Sequence, residues 1–330
     1  MAKLTLSGLT SFVASYVDAS KQAGTWTATT NNTIGLLDKV GKMITLDGDF
    51  QDKLPEMNGD DLPLGKTIEE YFIDLTLPEA YDSTGAYALA PATVPVEAVA
   101  YSYTIGRKKI KTTERYDDVE RASLTTEGAS NIISKIIERL YNSQTLYEYT
   151  IKKQILGNAC VKALTAAHSA SLVSTIAIPN DASTGEAFLK LVKGNIEDAS
   201  FANEGHNLGN YLIGKSPSLN LYFQKGVMPS LEVDTFAGAF HREDLALPTE
   251  IKVLDDFGTI SYTSGGSTVD DSTNIFAILL DIRGFKLHTG YRAVRSQENA
   301  DGDFINFFYH SEFTAFISKS VYIHLYKKSV

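Results

Sequence analysis

The sequence predicts an α+β fold in which one very long helix lies between groups of strands. Three observations support this class. Residues 98–111 alternate apolar and polar side chains, with Val99 and Tyr101 on one face, as in a half-buried strand. Residues 125–156 repeat apolar side chains at helical spacing. Several short strand-like runs follow residue 250.

The composition is that of a folded protein. Of 330 residues, 43% are hydrophobic and 21% are charged, and no run of 18 apolar residues occurs, so a transmembrane helix is not expected. The net charge of −10 is uneven: residues 1–100 carry −8, residues 101–165 carry +4 and residues 166–330 carry −6. Because phosphate neutralisation needs a basic surface, this balance disfavours specific nucleic-acid binding.

Residues 1–61 are predicted to form an N-terminal arm. Ser, Thr, Asn, Gly and Asp dominate this stretch, and no sustained apolar period runs through it. Such a segment cannot bury a core of its own. Trp26, the only tryptophan, indicates that the arm becomes ordered against something else, and we regard it as a candidate contact between subunits.

Residues 62–116 are predicted to form an extended hairpin. Strands are expected at Ile68–Leu77 and Ala98–Lys111, joined by a tip at Pro78–Pro95 that is rich in small residues. Two strands are marginal alone in water, so the hairpin should lie on a neighbour. Two tip residues are candidate contacts, Tyr81 and Tyr87.

The clearest element is a helix from Thr125 to Leu156, within a region assigned to residues 117–165. Thr125 or Thr126 can cap its start, and Gly157 is expected to end it. At 1.5 Å per residue the helix is about 45–50 Å long. A helix of this length is expected to organise a scaffold.

Residues 166–290 are predicted to form a mixed α/β domain, and residues 291–330 to add strands to the region 117–165. The first expected elements are a helix at Thr184–Ala199, a strand at Tyr211–Ile213, and a helix that Ser216-Pro217 opens and that carries Leu219, Tyr222 and Phe223. The expected later strands are Glu250–Leu254, Ile275–Leu280, Phe285–Arg295 paired with Phe304–Tyr309 across Asp301-Gly302, and Phe313–Tyr326.

One segment, Gly209 to Ser216, matches the letters of a phosphate-binding P-loop, with Lys215 in the lysine position. A later strand that ends in Asp281 resembles the carboxylate-bearing strand of a nucleotidase. However, the residues before Gly209 are polar, and Pro217 stands where the P-loop helix should continue. We therefore interpret the segment as a strand, a glycine turn and a helix start, with a nucleotidase as the enzyme alternative.

No other motif carries catalytic chemistry. The histidines do not show metal-ligand spacing on a helix, although His288, His310 and His324 could lie on adjacent strands. Cys160 is the single cysteine, which excludes an intrachain disulfide and indicates a buried thiol. We predict no catalytic residue, no cofactor and no metal ion.

A basic cluster ends the second hairpin strand, and the stretch 47–61 is acidic. The cluster comprises Arg107, Lys108, Lys109 and Lys111. Lysines at a strand edge can simply keep that edge solvated. The alternative is that the cluster meets an acidic patch on a neighbouring copy, since the hairpin and the arm both need partners. These four residues are candidate inter-subunit contacts.

The order of parts resembles the major capsid protein of tailed bacteriophages, which has the Hong Kong 97-type fold. The carriers are Tyr101-Ser102-Tyr103-Thr104-Ile105 through Arg115 as the returning strand of the hairpin (E-loop), Thr125–Gly157 as the spine helix, Asn210–Leu219 as an axial-domain strand, turn and helix start, and Phe276–Asp281 with Asp303–Tyr326 as late strands. The resemblance rests on their order and spacing and covers nearly the whole chain.

This resemblance implies a non-enzymatic shell subunit that assembles into pentamers and hexamers. These would form an icosahedral or prolate head that encloses double-stranded DNA without reading its sequence. It also implies an N-terminal arm (1–61), an E-loop (62–116), a peripheral domain (117–165 and 291–330) and an axial domain (166–290).

The resemblance further implies that the subunit assembles in the host bacterial cytoplasm and resides in the virion, with no membrane. Expected partners are further copies of the chain and scaffolding, portal, and decoration or tail proteins. An alternative with the same fold is an encapsulin-like shell that encloses a protein cargo.

Overall fold

A computed structural model describes residues 50–62, 67–73, 76, 78, 96–101, 104–115, 126–214, 218–230 and 249–329. The described residues form two compact units. The smaller unit comprises 50–52, 107–115, 126–147 and 291–311. The larger unit contains the remaining described residues, from 53 to 106, from 148 to 290 and from 312 onward.

The described helices are α1 (Thr126–Thr165), α2 (Ser169–Leu172), α3 (Ala182–Asp198) and α4 (Met228–Ser230). The described strands are β1 (Asn58–Asp61), β2 (Ile68–Ile73), β3 (Val96–Tyr101), β4 (Thr104–Arg115), β5 (Val173–Ile176), β6 (Leu219–Gln224), β7 (Glu250–Leu254), β8 (Ser261–Ser264), β9 (Ser267–Asp270), β10 (Ile275–Asp281), β11 (Phe285–Asn299), β12 (Phe304–Ile317) and β13 (Ile323–Lys328).

In the smaller unit, β12 lies between β11 and β4. One face of these strands packs on α1, where Leu140 is buried with Phe307 and Tyr309 of β12. Ile110 of β4 joins this cluster. Because side chains alternate along a strand, the neighbours of these residues point to the opposite face, which α1 does not cover.

In the larger unit, a five-stranded sheet has the order β5-β13-β10-β6-β7. All seven residues of β10 are buried, as expected for a central strand covered on both faces. The apolar face of α3, which includes Phe188 and Val192, packs on this sheet. Asp181 caps α3 by accepting a hydrogen bond from the Thr184 amide at 2.8 Å.

The predicted helix after Ser216-Pro217 is wrong. Leu219–Gln224 is strand β6, which pairs with β10 on one side and β7 on the other. The Ser-Pro pair is a helix-start signal, but the run Leu219 to Phe223 has buried positions on both faces, and this favours an inner strand. Long-range pairing therefore overrides the local signal.

The long helix is confirmed, but its predicted end is wrong. α1 has 40 residues, about 60 Å at helical rise, and it continues through Gly157 to Thr165. A Cβ atom at Gly157 would lie 2.7 Å from the carbonyl oxygen of Phe257 and 3.0 Å from that of Thr259. Glycine is present here because another backbone segment crosses the helix closely, not because the helix ends.

Two strand predictions need correction in extent. The predicted strand Phe313–Tyr326 is two strands: β12 ends at Ile317, and β13 begins at Ile323 in the five-stranded sheet. The predicted strand Ala98–Lys111 is likewise divided, because β3 pairs with β2 whereas β4 pairs with β12. The antiparallel pairing of the two hairpin strands is confirmed by the register from Ile68 opposite Tyr101 to Ile73 opposite Val96, whereas residues 79–95 of the predicted tip lie outside the described residues.

Candidate interaction surfaces

Of the predicted contact residues, the structure describes only the basic cluster. Trp26, Tyr81 and Tyr87 lie outside the described residues. The cluster lies on β4, and all four of its side chains are exposed. Alternation places Arg107, Lys109 and Lys111 on the face that α1 does not cover, whereas Lys108 shares the face of Ile110.

Aromatic rings support the cations on this open face. The Arg107 guanidinium lies 4.1 Å from the ring centroid of Tyr291 on β11. The ammonium groups of Lys109 and Lys111 lie 5.8 and 5.7 Å from the ring centroid of Phe308 on β12. Cation–π contacts of this kind hold long flexible side chains in place at an exposed site.

An open groove of about 420 Å³ runs along this face. Its lining contains no acidic side chain and comprises Lys109, Arg295, Ser296, Gln297, Phe308 and His310. We call the set of Arg107, Lys109, Lys111 and Arg295 around Phe308 the basic sheet face. Sequence reasoning missed Arg295 and Phe308 because they join the cluster only through the pairing of three strands.

The root of the hairpin is fixed by one carboxylate, that of Glu70 on β2. It accepts hydrogen bonds from the Ser318 and Ser320 hydroxyls, from the Tyr101 hydroxyl at 2.6 Å and from the Lys319 amide at 3.2 Å. Burial alone would raise the pKa of Glu70, but these four donors outweigh it and leave the pKa below its ordinary value. The acceptor is therefore a carboxylate at neutral pH.

The two faces of the hairpin differ. On the face of Glu70, the ring of Phe72 stacks on that of Tyr211 with centroids 4.0 Å apart, and Tyr101 meets Phe316 edge to face at 5.0 Å. On the other face, Tyr71, Ile73 and Val96 are 61, 62 and 58% exposed. The hairpin thus presents an apolar stripe to solvent while its opposite face is anchored.

The segment after residue 52 is anchored in the larger unit by buried apolar residues and lysines. Leu54 and Met57 are fully buried. The Glu56 carboxylate accepts from the Tyr222 hydroxyl at 2.7 Å and pairs with Lys252 at 2.6 Å. Burial lowers the pKa of Lys252, but its pairing with Glu56 outweighs this and raises the pKa above its ordinary value.

The described part of the P-loop-like segment, residues 209–214, lacks the structure that phosphate binding requires. Gly209 donates its amide to the carbonyl of Lys319, and Ile213 bridges Asn203. The next described element is strand β6 rather than a helix, while Lys215 itself lies outside the described residues. Asp281 accepts hydrogen bonds from Arg283 at the end of β10. A helix whose amides face phosphate is the core of a P-loop, so the nucleotidase alternative loses its basis.

Among the described residues, no group of three or more His, Cys, Asp or Glu side chains is placed to hold a metal ion. His324 lies on β13, where it shares a hydrogen bond of 2.8 Å with Ser174, and its ring centroid is 5.8 Å from that of His206. Burial, together with nearby His206, lowers the pKa of His324 to about 4. Cys160 is fully buried as predicted, and burial raises its pKa.

None of the described helices combines the length and the hydropathy that crossing a membrane requires. What remains is a set of surfaces: the anchored hairpin with its exposed stripe, and the basic sheet face. Both surfaces are exposed in the described part of the chain.

Comparison with known proteins agrees with this description. The chain is 23% identical over 292 residues to the major capsid protein of Bacillus phage PZA, a match that covers 86% of this chain and 60% of that protein. The chain thus spans about 60% of the length of the curated relatives it matches.

Solved structures show the same fold. The capsid structure of Staphylococcus phage Andhra matches with a TM-score of 0.69 at 14% identity, over 88% of both chains. The mature capsid of bacteriophage PhiM1 matches with a TM-score of 0.60 at 12% identity, over 88% of this chain and 91% of that one. The predicted α+β, Hong Kong 97-type fold is confirmed.

The family comparison covers almost the whole sequence. The model of the Phi29-like phage major capsid protein matches residues 10–326. This range includes every helix and strand described above except the last two residues of β13. The chain therefore belongs to the Phi29-like phage major capsid protein family.

Proposed function

We propose that this chain is a structural subunit of a phage head that assembles with copies of itself into pentamers and hexamers and encloses double-stranded DNA. Family membership supports the capsid role. The structural observation that carries self-assembly is the hairpin, whose root is fixed by Glu70 and whose outer face exposes Tyr71, Ile73 and Val96. An apolar stripe on a rigid projection gains stability when a neighbouring subunit covers it.

The proposed assembly depends on many modest contacts. Burying an apolar stripe of three side chains contributes only a few kcal/mol at about 25 cal/mol per Å². Repetition of one contact around closed rings and a closed shell multiplies this contribution, and closure removes unpaired ends. A shell of this kind needs no catalytic residue.

The parts of the subunit have proposed roles. The arm (1–61) and the E-loop (62–116) reach neighbours, residues 117–165 and 291–330 form the periphery of each capsomer, and residues 166–290 face the symmetry axes. Scaffolding, portal, and decoration or tail proteins are proposed as further partners. The chain is acidic overall, so packaged DNA is expected to be enclosed rather than tightly bound.

The test is electron microscopy of the full-length protein, expressed alone and with its neighbouring genes. Closed shells or tubes tens of nanometres across are expected, and a monodisperse monomer or dimer under both conditions would overturn the proposal. The absorbance ratio of purified particles distinguishes a DNA-filled head from a shell around protein cargo.

Deletion of Pro78–Pro95 tests the role of the hairpin. The variant should remain folded, because the anchoring contacts of Glu70 and Phe72 lie outside the deleted segment. It should fail to form closed shells, and normal shells from this variant would contradict the proposed role.

A further inference from the structure

Buried polar atoms without a hydrogen-bond partner are concentrated at one place in the larger unit. We call residues 203–213 the histidine loop. Among the described residues, the unpartnered buried atoms are Oδ1 of Asn203 and Nδ1 of His206 on this loop, and Nδ1 of His324 on β13. His324 is only 3% exposed, and the two imidazole rings have centroids 5.8 Å apart. Unsatisfied buried groups are rare in folded proteins, so a cluster of them calls for an explanation.

We infer that His206 and His324 form an acid-sensitive latch, which holds the histidine loop on β13 while both rings are neutral and releases it when they take up protons. A charge on either ring of the closed loop would be buried beside a second imidazole that also binds protons, so the closed loop disfavours the charged forms. In the open loop the rings reach water and bind protons in the ordinary way. This inference concerns the folded subunit and goes beyond the proposed function.

The contacts that hold the loop on β13 surround the histidine pair. The ring of His206 stacks on that of Tyr322, with centroids 5.4 Å apart and planes inclined by 6°. The carbonyl of His206 accepts from the Ile323 amide at 2.9 Å, and the Gly209 amide donates to the carbonyl of Lys319 at 2.8 Å. Opening of the loop would break these contacts and leave the pairing of β13 with β10 intact.

The groups around His324 keep its ring neutral at pH 7. The Ser174 hydroxyl on β5 shares a hydrogen bond of 2.8 Å with Nε2, and the ring of Tyr326 on β13 lies 5.2 Å away between centroids. The carbonyl of Ser171 on α2 favours the charged ring. Burial, together with the neighbouring His206, outweighs this carbonyl and lowers the pKa of His324 to about 4.

The groups around His206 act in the same net direction. Asp198, at the exposed end of α3, raises the pKa of His206, but burial outweighs this carboxylate and leaves the pKa below its ordinary value of 6.5. The hydroxyl of Tyr322 stays uncharged, because burial raises its pKa. Both histidines therefore stabilise the closed loop fully above pH 6.5, and this stabilisation is lost as the pH falls toward their lowered pKa values.

The histidine loop also contacts the hairpin. The fully buried Asn207 side chain accepts from the Tyr211 amide at 2.9 Å and donates to the Tyr211 carbonyl at 2.8 Å. The ring of Tyr211, fixed in this way, stacks on Phe72 of β2 at 4.0 Å. Release of the loop would remove this support, whereas Glu70 would still hold β2 above pH 4.5. The two attachments of the hairpin therefore respond to different ranges of pH.

Hydrogen exchange of the full-length protein at pH 7 and pH 5 tests the latch. The amides to follow are those of Gly209 and Ile323, which join the loop to the segment 319–323. A histidine that is neutral in the closed loop and has its ordinary pKa of 6.5 in the open loop increases the open population by about twentyfold between these pH values. The protection factors of the two amides should fall by at least about this factor, while β10 stays protected on the same time scale.

The variants His206→Gln and His324→Gln replace a titratable ring by a neutral amide, so each should reduce the pH dependence and the double variant should abolish most of it. Asp198→Asn changes an exposed side chain and should enlarge the pH dependence, because the carboxylate that favours charged His206 is gone. His168→Gln is the matched control. His168 shares a hydrogen bond of 2.8 Å with the carbonyl of Asn207, a bond that a histidine donates whether it is charged or neutral, so the pH dependence should remain.

Three results would overturn the inference: equal protection of the loop at pH 7 and pH 5, an equal loss in the unmodified protein and the double variant, and exchange of β10 at the same rate as the loop. The last result would mean that acid unfolds the whole unit. These measurements do not require shells, so their failure is distinguishable from a failure of the proposed function, which electron microscopy detects.

Discussion

Replacing Glu70 by glutamine should loosen the hairpin at its root without unfolding the rest of the larger unit. The carboxylate accepts from four donors, the hydroxyls of Ser318, Ser320 and Tyr101 and the amide of Lys319. An amide side chain has one acceptor oxygen and presents an NH2 group to donors, so about two of these donors lose their partner. Hydrogen bonds to a charged group are worth about 1.5–3 kcal/mol each.

The expected cost is therefore about 3 kcal/mol, which is roughly a hundredfold shift of the docked hairpin toward its undocked state. Hydrogen exchange of the amides of β2 and β3 measures this directly, and their protection should fall by about that factor. Proteolysis by trypsin is unsuitable because residues 67–106 contain no lysine or arginine. Shell yield should fall together with the protection.

The matched control is Glu69→Gln, which removes the same charge one residue away. Glu69 is exposed and its described contact is the hydroxyl of Tyr71 at 2.6 Å, so protection of the hairpin should hardly change. Equal protection in Glu70→Gln and in the unmodified protein would refute the reasoning. The same would follow if both variants lost protection equally, because general charge would then be the cause.

The pH dependence of the root has a definite sign. The folded pKa of Glu70 lies below its ordinary value of 4.5, so the carboxylate binds its proton less readily in the folded state. The stabilisation is fully present above pH 4.5 and is lost as the pH falls through the folded pKa. Hairpin protection should therefore be constant near neutral pH and should decrease only in acid below this value.

Three further predictions concern the larger unit. Gly157→Ala should destabilise it by about 2 kcal/mol or more in thermal unfolding, because the new Cβ would lie 2.7 Å from the carbonyl oxygen of Phe257. The control Gly194→Ala places its Cβ in open space on a helix and should stabilise the unit by about 0.5–1 kcal/mol. Equal effects of the two substitutions would contradict the close crossing at Gly157. His324 has a pKa of about 4 in the folded state against 6.5 when unfolded, so its contribution to stability is full above pH 6.5 and is lost as the pH falls toward 4. Urea titrations should show the free energy of unfolding fall by about 2 kcal/mol between pH 7 and pH 5. His324→Gln should reduce this pH dependence. Glu56→Gln should cost about 2 kcal/mol, since it removes the nearer of the two carboxylates that pair with Lys252, at 2.6 Å against 3.3 Å for Glu250, and an unchanged urea midpoint would rule out this anchor.

Local patterns predicted the elements whose stabilising contacts repeat along one segment. The stripe of α1 is confirmed at Leu140, and the apolar run at Ile275–Leu280 is confirmed as the fully buried strand β10. These patterns are reliable because burial on one face of a helix, or on both faces of a strand, sets which positions in the run must be apolar. The hairpin pairing of β2 with β3 is confirmed for the same reason, although its strands are shorter than predicted.

Errors arose where a distant segment decides the conformation. Position 157, inside α1, is a glycine because residues 257 and 259 pass close to the helix there. No feature near Gly157 in the sequence reveals that crossing. The strand β6 follows a genuine helix-start signal but lies between β10 and β7. Short apolar runs fit a helix or an inner strand equally well, and only the sheet order distinguishes them.

The candidate surface was predictable in its charge but not in its composition. Arg107, Lys109 and Lys111 lie so close together in the sequence that they are recognisable as a basic cluster. Arg295 and Phe308 reach the same face only because β11, β12 and β4 are neighbours. The acidic character of residues 67–106 is visible from the sequence alone, since these forty positions contain no basic residue.

The two kinds of contact in this subunit suit different tasks. The root of the hairpin uses a carboxylate with four donors, which holds β2 against residues 318–320 and against Tyr101 of β3. The surfaces proposed to join copies are exposed, and exposed ion pairs and small apolar stripes are weak one at a time. Weak contacts between copies form and break until a correct ring closes. A variable direction of the hairpin would prevent ring closure however strong those contacts were. Weakening the root should therefore harm assembly more than weakening any single contact between copies.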